Sequence, residues 1–165
     1  MWLCNSSIGR KVVMSVTGVA LILFLTFHMS MNIVALFSGD AYNMICEFLG
    51  ANWYALVATA GLAALAVLHI VYAFWLTMQN RKARGNERYA VTTRPKGVEW
   101  ASQNMLVLGI IIILGLLLHL FNFWYNMMFA ELTGIAVAHH PADGYAYIVD
   151  TFSCPVYVVL YIVWL

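Results

Sequence analysis

Three apolar runs, each long enough to cross a lipid bilayer, restrict this chain to a membrane fold. They cover residues 12–37, 53–78 and 105–129, and a bilayer-spanning helix needs about 20 mainly apolar residues. Hydrophobic residues make up 64% of the chain and charged residues only 9%, whereas a soluble domain is about 45–50% apolar and about 25% charged. The sequence therefore predicts an all-α membrane protein in which residues 1–165 form a single transmembrane helix bundle.

A fourth apolar run begins at Phe152 but contains only 14 residues, 152–165, before the sequence stops. As a helix it would be about 21 Å long, shorter than the bilayer core of about 30 Å. We therefore expect that the sequence is truncated relative to the functional chain, with three full helices and the start of a fourth here. The alternative is a short re-entrant helix. Residues 101–104 extend the third run toward its N-terminus.

The basic residues are confined to two parts of the chain. The other two connections between the apolar runs contain Asp and Glu but no Lys or Arg. Cytoplasmic segments of membrane proteins have an excess of Lys and Arg. We therefore expect the N-terminus and the 79–100 connection in the cytoplasm, and residues 38–52 and 130–151 outside. The basic residues are Arg10 and Lys11 before the first run, and Arg81, Lys82, Arg84, Arg88, Arg94 and Lys96 between the second and third runs.

Each full run contains one histidine: His28, His69 and His119. A titratable side chain in hydrocarbon is costly and usually functional, although a single one can also be a packed, hydrogen-bonded core residue. At 1.5 Å per residue from the cytoplasmic boundary, His28 lies at about 25 Å, His119 at about 28 Å and His69 at about 18 Å. We therefore expect His28 and His119 at one level, and His69 nearer the cytoplasm.

Two histidines at one depth on facing helices suit the two axial positions of a haem iron. The unpaired His69 suggests a second haem, whose other ligand would lie beyond Leu165. Zinc fits less well because its sites usually have four tetrahedral ligands, and the chain has no C-x-x-C-H motif for covalent haem attachment. Cys4, Cys46 and Cys154 are too scattered for an iron–sulfur cluster. A disulfide between the last two is an alternative to the favoured free thiols.

Four segments of the sequence resemble one family of respiratory membrane proteins. Residues 6–32, "SSIGRKVVMSVTGVALILFLTFHMSMN", are similar to the start of the di-haem cytochrome b membrane-anchor subunit of succinate dehydrogenase and fumarate reductase. Residues 68–85, "LHIVYAFWLTMQNRKARG", and 102–124, "SQNMLVLGIIIILGLLLHLFNFW", resemble its second and third helices. Residues 40–50, "DAYNMICEFLG", resemble its first external loop. The similarity is to the branch with one anchor subunit and five transmembrane helices.

The resemblance implies two haems b, held by one histidine on each of the first four helices. By this correspondence His28 and His119 ligate the distal, outer haem and His69 the proximal, inner haem; the sequence contains no counterpart of the fourth histidine or the fifth helix. The remaining candidates each have a simpler alternative as an ordinary helix or loop residue. They are Ser15, Trp100, Arg10 and Lys11 for the haem propionates and Glu47 for a quinone, while His139 and His140 are interpreted as solvated loop residues.

The function implied by this resemblance is that of an electron-transfer anchor in a bacterial cytoplasmic membrane. Its expected partners are a flavoprotein subunit and an iron–sulfur subunit on the cytoplasmic face, lipid, and a quinone such as menaquinone near the outer face. The chain has no dinucleotide-binding fingerprint and is not expected to oxidise succinate itself. A dimer of the complex is one assembly that we consider, and no nucleic-acid partner is expected.

Two other functions compete with the haem interpretation. In the first, the three membrane histidines form a titrating relay that carries protons or ions. In the second, the chain is a purely structural subunit whose histidines are packed side chains. A haem spectrum separates both of these from the electron-transfer anchor.

Overall fold

The computed structural model describes residues 6–50, 52–85 and 99–164. Of the described residues, 86% are helical and none lies in a strand. Three helical segments are long and apolar enough to cross a membrane: Ser7–Leu36, Trp53–Ala83 and Met105–Thr133. The prediction of an all-α, multi-pass membrane protein is therefore confirmed at this level.

The first long helix, α1, covers Ser7–Ile33 and continues as a 3₁₀ turn over Val34–Leu36. It begins five residues before the predicted apolar run, because the Ser6 side chain accepts a hydrogen bond of 2.9 Å from the Gly9 backbone N–H. Such a bond satisfies one of the free N–H groups of a helix start. A short helix, α2 (Gly39–Phe48), follows directly.

The second long helix, α3, covers Trp53–Arg84 and therefore continues past the predicted limit at residue 78. A single turn, α4 (Trp100–Gln103), precedes the third long segment. That segment consists of an α-helix, α5 (Met105–His119), and a π-helix over Leu120–Phe129. The predicted third run thus has the expected limits but changes its helix type directly after His119.

Two short helices, α6 (Ala130–Thr133) and α7 (Gly144–Ser153), lie in the connection after the π-helix. The last helix, α8, covers Pro155–Trp164, and its axis bends by 94° from that of α7. The bend is at Cys154, which is extended with φ −88° and ψ 115°. Proline disfavours a helical conformation in the residue before it and is well suited to the first position of a helix. The fourth helix therefore begins at Pro155 and not at Phe152.

The described helices pack as an open bundle. Helix α3 runs along α1, α8 packs against α5, and α2 packs against α7, whereas the backbones of α1 and α5 approach each other at few positions. In the most apolar window of each long segment, only 6%, 6% and 11% of the residues are buried. Exposed apolar side chains of this extent fit helices surrounded by lipid.

Helices α2 and α7 together form a helical cap at the end of the bundle opposite the first residues of α1. Asn43 joins the two helices: its Nδ2 donates to Asp143 Oδ1 at 2.7 Å, and its Oδ1 accepts from the Tyr145 backbone N–H at 2.9 Å. Gly144 lies so close to α2 that a Cβ there would be 2.5 Å from Cys46 Sγ. The cap is thus a closely packed unit beyond the membrane-spanning segments.

Candidate functional site

The imidazole rings of His28 and His119 lie next to each other between α1 and α5. Their ring centroids are 5.7 Å apart and their planes are perpendicular, at 89°. Neither ring has a hydrogen-bond partner among the residues that the structure describes. The sequence placed these two histidines at one level of the bundle, and the structure brings them together there.

Each ring of this pair is also supported by an aromatic neighbour on its own helix. The Phe24 ring stacks on His28 at 5.5 Å, and the Phe123 ring lies 5.1 Å from His119. Both contacts join residues four apart, which face the same side of a helix. Because α1 and α5 have few close backbone approaches, the contact between these two rings is one of the side-chain contacts that join the two helices.

The π-helix that begins after His119 changes the direction of the side chains that follow it. Asn126 Nδ2 donates to the carbonyl oxygens of Phe121 at 3.1 Å and Asn122 at 3.0 Å. Asn122 is buried, and its side-chain amide donates to the Tyr161 hydroxyl of α8 at 3.3 Å. Short π-helical insertions occur often at functional sites. Residue spacing in the sequence alone does not reveal this buried polar pair.

Gly115 precedes His119 by one helical turn and lies against the last helix. A Cβ at this position would be 1.8 Å from a carbon of the Trp164 indole. Only glycine permits so close an approach, and Gly115 is buried by it. The contact fixes α8 against α5 near His119.

His69 lies at a second level, on α3, and contacts Thr17 of α1. The distance between Thr17 Oγ1 and His69 Nδ1 is 2.8 Å. Thr17 is buried, and a Cβ on the adjacent Gly18 would be only 3.5 Å from His69 Cε1. In the described part of the chain, His69 has no ring contact with a second histidine.

The two histidine levels lie along one stripe of α1. Thr17 and His28 are 11 residues apart, which corresponds to about three turns and about 16 Å along the helix. His69 is therefore nearer the start of α1, as expected. The level of His69, marked by Thr17, is about 9 Å beyond Lys11 when it is counted along α1. Counting along α3 from Arg81 gave an expected depth of about 18 Å. The two counts differ because α3 extends beyond the level at which α1 begins.

The structure shows no contact between the propionate or quinone candidates and the histidines of the two levels among the described residues. Arg10 donates a hydrogen bond to Gln79 Oε1 and lies 5.5 Å over the Trp75 ring, so it holds the start of α1 against α3. The other four are exposed at the helix surface or in the cap, and their proposed roles stay predictions. They are Ser15, Lys11 and Trp100 for the propionates and Glu47 for the quinone.

The two loop histidines have local contacts. His139 Nε2 pairs with the Asp150 carboxylate, and the His139 carbonyl accepts a 2.7 Å hydrogen bond from Tyr147. His140 is exposed, and its Nδ1 accepts from the Ala142 backbone N–H at 3.2 Å. These contacts fit loop-ordering roles.

Burial in the helical cap changes the acidity of two neighbouring groups. It raises the pKa of the Tyr42 hydroxyl, and the neighbouring Cys46 adds to this rise. It also raises the pKa of the Cys46 thiol, although a hydrogen bond with Tyr42 opposes this in part. Cys46 and Cys154 are both free thiols, as favoured from the sequence.

The pair of His28 and His119 fits the axial ligand set of a haem. No group of three or more His, Cys, Asp or Glu side chains in the described residues could hold a metal ion, but a haem needs only axial ligands from the protein. A ring nitrogen bonds a first-row metal at about 2 Å, so two imidazoles on opposite sides of one ion have centroids about 6 Å apart. The observed 5.7 Å is close to this separation.

Comparison of the chain with protein-family models, curated proteins and solved structures found no match. The functional interpretation therefore depends on the placement of the residues themselves and on the sequence resemblance.

Proposed function

We propose that this chain is a haem b-containing membrane anchor that passes electrons between an iron–sulfur subunit and membrane quinone. The observation that carries the proposal is the adjacent pair of imidazole rings, His28 and His119, in the apolar part of the bundle. Unprotonated imidazole is a good axial ligand for haem iron. A pair of rings without hydrogen bonds in hydrocarbon is otherwise costly.

In this proposal His28 and His119 hold the distal haem b, and His69 supplies one ligand of a proximal haem b. Haem, when bound, supplies a reversible one-electron centre whose potential depends on its ligands and surroundings. The chain fixes the two ligand levels through α1, which carries both His28 and the Thr17 contact to His69. Lipid-facing residues around the bundle keep water away from both levels.

The partners follow from the sequence resemblance and from the distribution of charge. A flavoprotein subunit and an iron–sulfur subunit would bind at the basic end of the bundle, which the proposal places in the cytoplasm. The quinone, with menaquinone as the favoured type, would bind near the acidic end. The complete anchor would have five transmembrane helices in the cytoplasmic membrane of a bacterium, as in the family that the sequence resembles.

The test is a dithionite-reduced minus oxidised spectrum of the full-length complex in membranes, followed by a redox titration. The wild-type protein should contain two haems b per chain with different midpoint potentials. His28→Ala and His119→Ala should each remove the same haem component from the titration. The double variant should remove little more, because each of the two ligands is essential to that one haem site. His69→Ala should remove the other component. His140→Ala, in the exposed loop, is the matched control and should retain both.

Two results would contradict the proposal in different ways. If His28→Ala and His69→Ala deplete one component while His119→Ala depletes the other, the assignment of ligands to haems is wrong. If all three variants keep their full haem content, or the wild-type protein has no haem band, the haem function itself fails and the proton-relay interpretation replaces it.

A further inference from the structure

Thr17 links His69 to the backbone of α1 through one buried hydroxyl. Its Oγ1 lies 2.8 Å from His69 Nδ1, 2.8 Å from the Val13 carbonyl oxygen and 3.2 Å from the Met14 carbonyl oxygen. A hydroxyl has one proton to donate and two lone pairs that can accept. These three contacts therefore restrict which group donates to which.

The arrangement favours donation from the histidine ring to Thr17. A helical threonine commonly gives its proton to the carbonyl four residues earlier, here Val13, and a carbonyl can only accept. His69 Nδ1 must then carry the hydrogen of the contact with Thr17. In the opposite tautomer the Nε2–H group would have no acceptor among the described residues, which is costly in hydrocarbon.

We propose that Thr17 is a positioning residue for His69, holding the ring with hydrogen on Nδ1 so that the Nε2 lone pair is free for haem iron. The proposal rests on the proposed haem function. Histidine ligands usually donate their other ring N–H to a neighbouring acceptor, which fixes the ring orientation and strengthens the ligand. Here the acceptor is the Thr17 hydroxyl, itself fixed by its bond to Val13.

The packing around this contact supports a positioning role. Thr17 is buried, with only 5% of its surface exposed, and the His69 ring lies against α1 so that a Cβ on Gly18 would be in van der Waals contact with His69 Cε1 at 3.5 Å. Thr26, on the same helix, donates to the Ile22 carbonyl at 2.9 Å in the same way but is exposed and has no histidine contact among the described residues. Thr26 is therefore a matched control for the loss of a helical hydroxyl.

The experiment compares Thr17→Val, Thr17→Ser and Thr26→Val in the full-length complex by redox titration of the haem bands. Thr17→Val keeps the side-chain shape but removes the acceptor, so proximal haem binding should weaken by about 10- to 100-fold. We expect a smaller proximal amplitude and an upward shift of the potential of the remaining proximal haem, because the weaker ligand stabilises the oxidised iron less. Thr17→Ser and Thr26→Val should match the wild type.

A wild-type complex with two haems whose Thr17→Val variant keeps the proximal amplitude and potential would overturn the role of Thr17 alone. A wild-type complex without haem would instead refute the proposed function. If Thr17→Val does not assemble, NMR of the reduced wild-type complex labelled with ¹⁵N-histidine decides the question. A hydrogen on His69 Nδ1 is expected, and an unprotonated Nδ1 would overturn the proposal.

Discussion

Gly115 shows how one residue near the histidine pair fixes the position of a whole helix. Its missing side chain gives the Trp164 indole room to lie directly on α5, and His119 follows one turn later. Any side chain at this position would displace the Trp164 indole or α8 itself. The consequence for the site is that His119 is held on a helix whose neighbour cannot shift freely.

We expect Gly115→Ala to destabilise the protein by about 1–3 kcal/mol, which is typical of overpacking in a tight contact. The added Cβ would be 1.8 Å from a Trp164 carbon, so the Trp164 indole or α8 itself must move. The measurement is thermal unfolding of the purified protein, whose unfolding temperature should fall; under the proposed function the content of distal haem should fall as well. Gly109→Ala is the matched control on the same helix, since a Cβ there meets no atom within 4 Å. Equal stability of the two variants would contradict the packing explanation.

At the scale of single residues, the sequence predicted the histidine pair but not its neighbours. Helical rise is constant, so counting residues was enough to place His28 and His119 at one level. Thr17 was missed because contact with His69 depends on which faces of α1 and α3 meet. Ser15, chosen from the family resemblance, is only two residues away, but about 200° around the helix, so it lies on the opposite, exposed face.

The helices themselves were predicted well where long apolar runs determined them. All three long segments match their runs, because a chain in lipid must satisfy its backbone groups internally and the helix does so. The changes within segments were not predicted. The π-helix at Leu120–Phe129 depends on Asn126 bonding to Phe121 and Asn122, and the hydrophobic pattern contains no sign of it. The bend at Pro155, by contrast, had a local signal in the proline itself.

The helical cap allows a prediction about its two helices. Asn43→Ala removes the two hydrogen bonds by which Asn43 joins α2 to α7, and each such bond contributes about 0.5–1.5 kcal/mol. The cap should open more often, and Cys46, which lies against Gly144, should become accessible. We expect alkylation of Cys46 to be faster in the variant, measured by peptide mass spectrometry.

The acidity of Cys46 gives the direction of the pH effect in this experiment. The thiolate is the reactive form, and burial raises the pKa of Cys46, so near pH 8 the closed cap holds less thiolate than an exposed cysteine would. Opening the cap lowers the pKa toward its ordinary value and increases the rate at that pH. Asn80→Ala, an exposed position on α3 at the other end of the bundle, should leave the rate unchanged. Equal rates for Asn43→Ala and the wild type would contradict the role of Asn43.

At the scale of the molecule, the basic residues in the described part of the chain lie at one end of the bundle, and the acidic residues other than Glu99 lie at the other. Arg10 at the start of α1 is bonded to Gln79 near the end of α3, which brings the basic residues of both helices to one end. At the other end, Asn43 binds Asp143. A Cβ on Gly50 would be 3.1 Å from Glu131 Oε2, so these two residues are also close. The first and third connections, with their acidic residues, are therefore neighbours. Such separation is the pattern that sets orientation in a membrane.

The last prediction concerns this orientation. Because Lys and Arg are retained on the cytoplasmic side, a reporter fused after Arg84 should be active only if it is a type that works in the cytoplasm. A reporter fused after Asp143 should be active only if it is a type that works outside. A fusion after Gly50, in the other acidic connection, serves as a control and should behave like the Asp143 fusion. The reverse pattern at all three positions would place His69 nearer the outer face and His28 with His119 nearer the cytoplasm. Under the proposed function, electrons from a cytoplasmic iron–sulfur subunit would then reach the His28 and His119 level first, and the proposed assignment of proximal and distal haems would have to be exchanged.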